Sequence, residues 1–232
     1  MTIVTSATHP TVELTPAQAA AAAKVAFAVE VPGAVAVLCG PTGVGKTTVL
    51  ESLARAAGAS RRSIQVASLA ELGGGSGSGA AAACEDRRAS SDTSHPVLLI
   101  DDAHETDVTG LAALVAGTRR RQPDTAVVLA GEGRLLSLVA GDARLEQSIR
   151  LRATLPVFSL ADTRRLLAGR LSGAPGETAE NVLRTIHEIA GGVPAASLRL
   201  VEVADMVAAA TARPLVPDDI EIIHRRLSLS AA

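Results

Sequence analysis

The densest chemistry in the sequence lies between Gly40 and Thr47. There Gly-Pro-Thr-Gly-Val-Gly-Lys-Thr fits the pattern G-x-x-x-x-G-K-[ST] at every fixed position. In such a loop Gly40, Gly43 and Gly45 let the backbone wrap closely and turn its N–H groups inward onto phosphate oxygens. Lys46 would reach the β- and γ-phosphates of a nucleotide, and the Thr47 hydroxyl would ligate Mg²⁺. The first turn of the following helix adds unpaired donors and the positive end of a dipole. Pro41, Thr42, Val44 and Thr48 complete the stretch assigned to nucleotide binding.

A phosphate loop of this kind needs an acid at the end of a neighbouring strand. Leu98-Leu99-Ile100-Asp101-Asp102 supplies it. Asp101 is assigned to Mg²⁺, through water, and Asp102 to polarising the attacking water. Alone, two acids after an apolar run say only that a loop begins; beside a phosphate loop they acquire a role. His104 and Glu105 read as solvated neighbours, with Glu105 a reserve base.

These residues must be held by a scaffold. Pro16 to about Glu30 reads as an alanine-rich helix capped by Thr15, with proline in its first turn. Val35–Cys39 reads as a buried strand feeding the loop, and Lys46–Ala57 as the helix leaving it, with Gly58 as its stop. Ser63–Leu69, Val97–Ile100 and Ala126–Ala130 are further strands, with Leu155–Phe158 as a last short one. Helices are expected from about Thr109 to Arg121 and Gly133 to Ala140. Strands alternating with helices indicate an α/β fold with a parallel sheet. After Phe158 the strands stop. Ser159–Leu171, Glu177–Ala190, Pro194–Thr211 and Pro217–Leu229 read as four helices, the first opened by a Ser159/Asp162 capping box. The expected fold is therefore a P-loop NTPase sheet sandwiched by helices and followed by a small all-α lid. Its division is 1–14 as a disordered lead-in, 15–158 as the core and 159–232 as the lid. The segment 73–94 has the composition of a flexible insertion.

Composition narrows the class. The chain has 232 residues with 22 Lys+Arg against 24 Asp+Glu, so charge gives no footprint for non-specific nucleic-acid binding; a nucleic-acid partner is open but unsupported by charge. Arg119-Arg120-Arg121 could touch phosphates, but three charges at a helix end more often complement the dipole. With only Phe27 and Phe158 aromatic, the core must be aliphatic. Two cysteines are too few for a disulfide framework, and no Cys/His spacing suggests zinc. The N-terminus lacks the pattern of a secretory signal, and the apolar run Ala17–Val29 is shorter than the ~20 residues of a membrane span. A cytoplasmic protein with no membrane span is expected.

Four classes of phosphate-loop protein compete. A GTPase needs an Asn-Lys-x-Asp guanine reader, and Asn181 is the only asparagine. An ABC transporter ATPase carries its Leu-Ser-Gly-Gly-Gln signature before the acidic strand, whereas Leu171-Ser172-Gly173 follows it here. A small-molecule kinase would place lid arginines within the sheet, as Arg87 and Arg88 could be. In an AAA+ ATPase a helical lid follows the α/β core. From Phe27 onward the chain resembles AAA+ ATPases of the ExeA/GspA type, close to the TniB-type transposition ATPases. The resemblance rests on five segments in order: Cys39–Thr48, Leu98–His104, Val127–Leu135, Leu145–Leu171 and Gly191–Pro194. It implies ATP and Mg²⁺ binding, and self-association in which one copy lends an arginine, Arg150 or Arg152, to its neighbour's nucleotide. The bland alternative for that pair is surface salt-bridging.

Four positions depart from that family. Asp102 stands where it carries glutamate, shortening the base by one bond of about 1.5 Å. Glu132 replaces a glutamine and brings a like charge toward the γ-phosphate. Ser148 replaces an arginine, and Ala195 and Ala196 stand in place of a lid arginine. An arginine finger contributes ~10³–10⁵ in rate, so the departures predict slow hydrolysis on an intact binding loop. The resulting expectation is an AAA+ type ATP-binding protein, a slow ATPase coupling nucleotide state to oligomerisation or to remodelling of an unknown protein partner. A non-hydrolysing, nucleotide-gated binding module and a small-molecule kinase are the alternatives.

Overall fold

The computed structural model describes residues 13–59, 64–68, 95–170, 176–211 and 213–230. The expected insertion 73–94 and most of the expected lead-in 1–14 lie outside them, as do Cys84, Arg87, Arg88 and Leu171-Ser172-Gly173.

Five parallel strands form one sheet in the order β2-β3-β4-β1-β5. In chain order these are β1 (Val35–Cys39), β2 (Ile64–Ser68), β3 (Val97–Asp101), β4 (Ala126–Gly131) and β5 (Ile149–Thr154). The interleaved helices are α1 (Pro16–Ala28) before β1, α2 (Lys46–Ala59), α3 (Val108–Arg121), α4 (Gly133–Ala140) and α5 (Ala143–Ser148), with a 3₁₀ turn at Ala103–Glu105. Every residue of β1 and β4 is buried, which explains why both read as unbroken apolar runs.

The period of two divides those strands between two aliphatic layers. Ala36, Leu38, Leu99 and Val128 pack against α1 and α2 through Val25, Val49 and Leu50. Val35, Val37, Val127 and Leu129 pack on the opposite face against Leu111, Val115, Leu135 and Val139. A third cluster joins α6 (Leu160–Leu167), α7 (Gly176–Ile189), α8 (Pro194–Thr211) and α9 (Pro217–Ser230) through Leu167, Val182, Ile186, Leu200 and Ile220. This is the helical C-terminal portion expected beyond the sheet. Among the described residues no helix is long and apolar enough to cross a membrane.

Three expectations need correcting. The last strand is Ile149–Thr154, not Leu155–Phe158, which has no regular structure. β5 lies at the sheet's edge, so it alternates Ile149, Leu151 and Ala153 with outward Arg150, Arg152 and Thr154 instead of reading as an apolar run. Pro156 has no N–H to give a ladder. The helix α2 passes through Gly58 to Ala59, since glycine permits a stop without imposing one. The helix expected over Ser159–Leu171 ends at Leu167, although its Ser159/Asp162 capping box is present.

Candidate functional site

The carboxyl ends of parallel strands, where neighbours diverge, are where an open α/β sheet leaves room for a ligand. The glycine loop leaves β1 there, between β4 and β5. Gly43 and Gly45 adopt φ of +74° and +97°, a region that side chains rarely enter, so these two glycines are required by the turn itself. Lys46 is buried, and its Nζ donates to the carbonyls of Gly40 and Pro41 at 3.0 Å each. An ammonium has three donors, so one remains for another partner. Pro41, Thr42 and Thr47 are exposed along the loop's rim, while Gly40 and Val44 are buried; Thr48 is half-buried behind Gly45.

Asp101 reaches this loop from the end of β3, which is not the neighbouring strand the sequence suggested but lies beyond β4 in the sheet. Asp101 Oδ2 accepts from Thr47 Oγ1 at 2.6 Å, and Oδ1 accepts from the backbone N–H of Asp102 at 2.9 Å. Asp102 is exposed and has φ of +51°, the one non-glycine residue with positive φ among those described. Thr47 and Asp101 thus present hard oxygen donors side by side, the donor chemistry that Mg²⁺ takes together with water and phosphate oxygens. The residues present fit that ion.

Two other side chains gather at the same edge. Glu132 follows β4 as the N-cap residue of α4, yet its carboxylate makes no cap bond. It accepts instead from Thr42 Oγ1 and lies 3.4 Å from His104 Nε2. The Thr42 hydroxyl, aided by the His104 and Lys46 charges, holds the Glu132 carboxyl below the ordinary glutamate range. His104, expected to be solvated, is mostly enclosed. Its Nδ1 is buried without a hydrogen-bond partner, 4.0 Å from Asp102 Oδ1. A Cβ at Gly131 would stand 3.2 Å from the Cβ and the backbone N of His104, so the strand's last glycine lets the turn carrying His104 pack closely. Glu105 is exposed and has no place in the cluster.

The helical portion meets the loop directly. The N–H of Ala195, in the first turn of α8, donates to the carbonyl of Gly43 at 3.2 Å, and a Cβ at Gly43 would lie 2.8 Å from Ala195 Cβ. The missing Cβ at Gly43 is thus what lets α8 sit against the loop. The Gly191-Gly192 turn before α8 is fixed by the Phe158 N–H donating to the Gly192 carbonyl at 2.8 Å.

Arg150 and Arg152 stand apart from this cluster on the outward side of β5. Arg152 pairs with Glu146 at 2.9 Å, so one member of the pair does make the ordinary ion pair weighed for it. The arginine triplet ends α3 at the opposite end of the sheet, where Arg119 donates to the Gly33 carbonyl at 3.1 Å. Among the described residues no cluster of His, Cys, Asp and Glu has the form of a multidentate metal site.

A parallel sheet in this strand order, a glycine loop after β1, an acid ending β3 and a helical portion beyond define the P-loop NTPase fold of AAA+ type. Comparisons with known proteins agree. The sequence family described as "ATPase family associated with various cellular activities (AAA)" matches residues 36–132. The fold resembles Aeropyrum pernix ORC2 in ADPNP–ADP complexes, at 14% identity and a TM-score of 0.64, over 93% of this chain and 68% of that one. It resembles Aeropyrum pernix ORC1 in complex with DNA at 17% and 0.67, over 94% and 67%. The Thermotoga maritima RuvB Holliday junction branch migration motor is similar at 18% and 0.58, over 90% and 69%. No curated protein sequence matches the chain significantly. The family match over part of the chain and the shared fold agree on a P-loop NTPase architecture.

Proposed function

We propose that the chain binds ATP with Mg²⁺, hydrolyses it slowly, and couples the nucleotide to self-association and to remodelling of a protein partner. The observation that carries this reading is the 2.6 Å hydrogen bond between Thr47 and Asp101, side chains 54 residues apart in sequence that meet beside the buried Lys46. In this reading the loop amides and Lys46 grip the triphosphate, and Thr47 with Asp101 holds Mg²⁺, which when bound neutralises phosphate charge. Asp102 orients the attacking water. Arg150 and Arg152, on the edge strand, are assigned to the nucleotide of a neighbouring copy, Arg152 after exchanging its Glu146 partner. The ExeA/GspA-like subtype and a cytoplasmic setting belong to the same proposal. The DNA named with the ORC1 neighbour makes a nucleic-acid partner an extension of it, on which the balanced charge is silent.

One observation favours a second reading, a nucleotide-gated module without turnover. The carboxylate of Glu132 sits on Thr42, and Ala195 and Ala196 bring no positive charge from α8. Titration of ATP·Mg²⁺ by calorimetry, together with phosphate release, separates the two. Wild-type chain is expected to bind, and Lys46→Ala to bind at least ~10-fold more weakly, as loss of a charged hydrogen-bond donor implies. Phosphate release that depends on Lys46 supports the ATPase; tight binding with none supports the module, and no binding by the wild type sinks both.

A further inference from the structure

Among the described residues, one buried polar side chain outside the phosphate-loop motif touches the loop. Gln18 is the third residue of α1 and only 5% exposed. Its carbonyl end completes a capping box: Oε1 accepts from the Thr15 N–H at 3.1 Å while Thr15 Oγ1 accepts from the Gln18 N–H at 3.3 Å. A glutamate would serve that purpose equally. What the amide adds is a donor at its other end, and Nε2 gives it to the carbonyl of Val44, inside the glycine loop, at 3.2 Å.

The Val44 carbonyl and the Gly45 N–H belong to one peptide plane. No peptide bond among the described residues is cis, so the two groups point in opposite directions. Holding the carbonyl toward α1 turns the Gly45 N–H away from α1, to the side on which a phosphate loop presents its donors. A Cβ at Gly45 would lie 2.4 Å from Gln18 Nε2, so the absence of that carbon is what lets the amide approach. The preceding loop carbonyl, Gly43, is held in the same manner by the Ala195 N–H of α8. Two consecutive peptides of the loop are therefore anchored from outside it.

We propose that Gln18 is a positioning residue of the phosphate loop. Its amide presets the Gly45 N–H for a phosphate oxygen and so makes the capped start of α1 part of the nucleotide site. The inference rests on reading the loop as a nucleotide site, and its test separates the two. Gln18→Glu keeps the acceptor for the Thr15 N–H but loses the donor to Val44, and Gln18→Met removes both without adding a charge. Thr15→Ala removes the other half of the cap and leaves the Val44 contact.

The measurement is the dissociation constant of the full chain for ATP·Mg²⁺ and ADP·Mg²⁺ by calorimetry, well below each variant's melting temperature. Both Gln18 variants are expected to weaken both nucleotides about five- to tenfold, the scale of one hydrogen bond. Thr15→Ala is expected to bind within about twofold of wild type while melting at lower temperature. Wild-type-like affinity in both Gln18 variants would overturn the positioning role alone, as would an equal loss of affinity in Thr15→Ala, which would mark a merely structural cap. Absence of binding by the wild type would overturn the nucleotide reading beneath it.

Discussion

Asp102 turns the chain after β3 with a positive φ. The left-handed region costs an L-residue ~1 kcal/mol or more, and aspartate enters it more readily than most. The Asp102 N–H, in the peptide that precedes this turn, reaches one oxygen of Asp101 while Thr47 holds the other, so that carboxylate is fixed from both sides. Glu132 also brings a negative charge to the rim of the loop. If the loop holds a nucleotide as proposed, a carboxylate hydrogen-bonded to Thr42 would repel a γ-phosphate more than a β-phosphate and bias the loop against the triphosphate. Glu132→Gln keeps an acceptor for Thr42 and removes the charge. It is expected to strengthen ATP relative to ADP by about three- to tenfold, a modest screened Coulomb effect at an exposed rim. Competition titrations with both nucleotides give that ratio, and an unmoved ratio would show that Glu132 swings clear.

At the scale of elements, the ends of helices carry much of the design. The bond from Ala195 shows a loop carbonyl taking one of α8's first-turn donors, so α8 and the phosphate loop complete each other. At the start of α9, Asp219 accepts two bonds from Arg213, at 2.8 and 2.6 Å, and one from the Val216 N–H at 3.0 Å. Arg213, with the Val216 N–H, holds the Asp219 carboxyl below the ordinary aspartate range. A carboxyl whose folded pKa is depressed adds stability that is complete above its unfolded value. That stability disappears as pH falls through the folded value. Helical-portion stability should therefore begin to drop as pH passes below about 4, the ordinary aspartate value. Asp219→Asn should cost about 1–2 kcal/mol near neutral pH, a reduced figure because Arg213 is half exposed. Thermal melts of wild type and D219N between pH 7 and 3 give the comparison, and parallel curves across that range would remove Asp219 as the acid-sensitive group.

For the whole molecule, the sheet's strand order decides which residues meet and which face outward. β1 lies inside the sheet, so its loop is flanked by β4 and β5 and reached by α8; β5 is an edge, so Arg150 and Arg152 look outward. Under the proposed function, arginines in that position would reach a nucleotide only when a second copy approaches. Light scattering is expected to show larger particles with ATP·Mg²⁺ than without nucleotide, and Arg150→Ala to lower phosphate release while leaving the ATP dissociation constant unchanged. A single small species under every nucleotide condition would remove the assignment of an arginine to a neighbour.

Local patterns determined much of this protein. A glycine loop after an apolar strand, an acid pair after another and a proline-punctuated helical end fixed the phosphate-loop class, because backbone sterics and hydrophobic period act over a few residues. The strand Ile149–Thr154 escaped that reading, since an edge strand exposes one side and so lacks a continuous apolar signature. His104 escaped it too, because its enclosure depends on the end of β4 and the helix Gly133–Ala140, distant in sequence, packing against the turn that carries it. Thr15-Pro-Ala-Gln18 is legible as a capping box, but nothing near it says that the same amide grips Val44, a contact 26 residues away. Long-range contacts of that kind depend on which strands are neighbours, and only tertiary packing decides that.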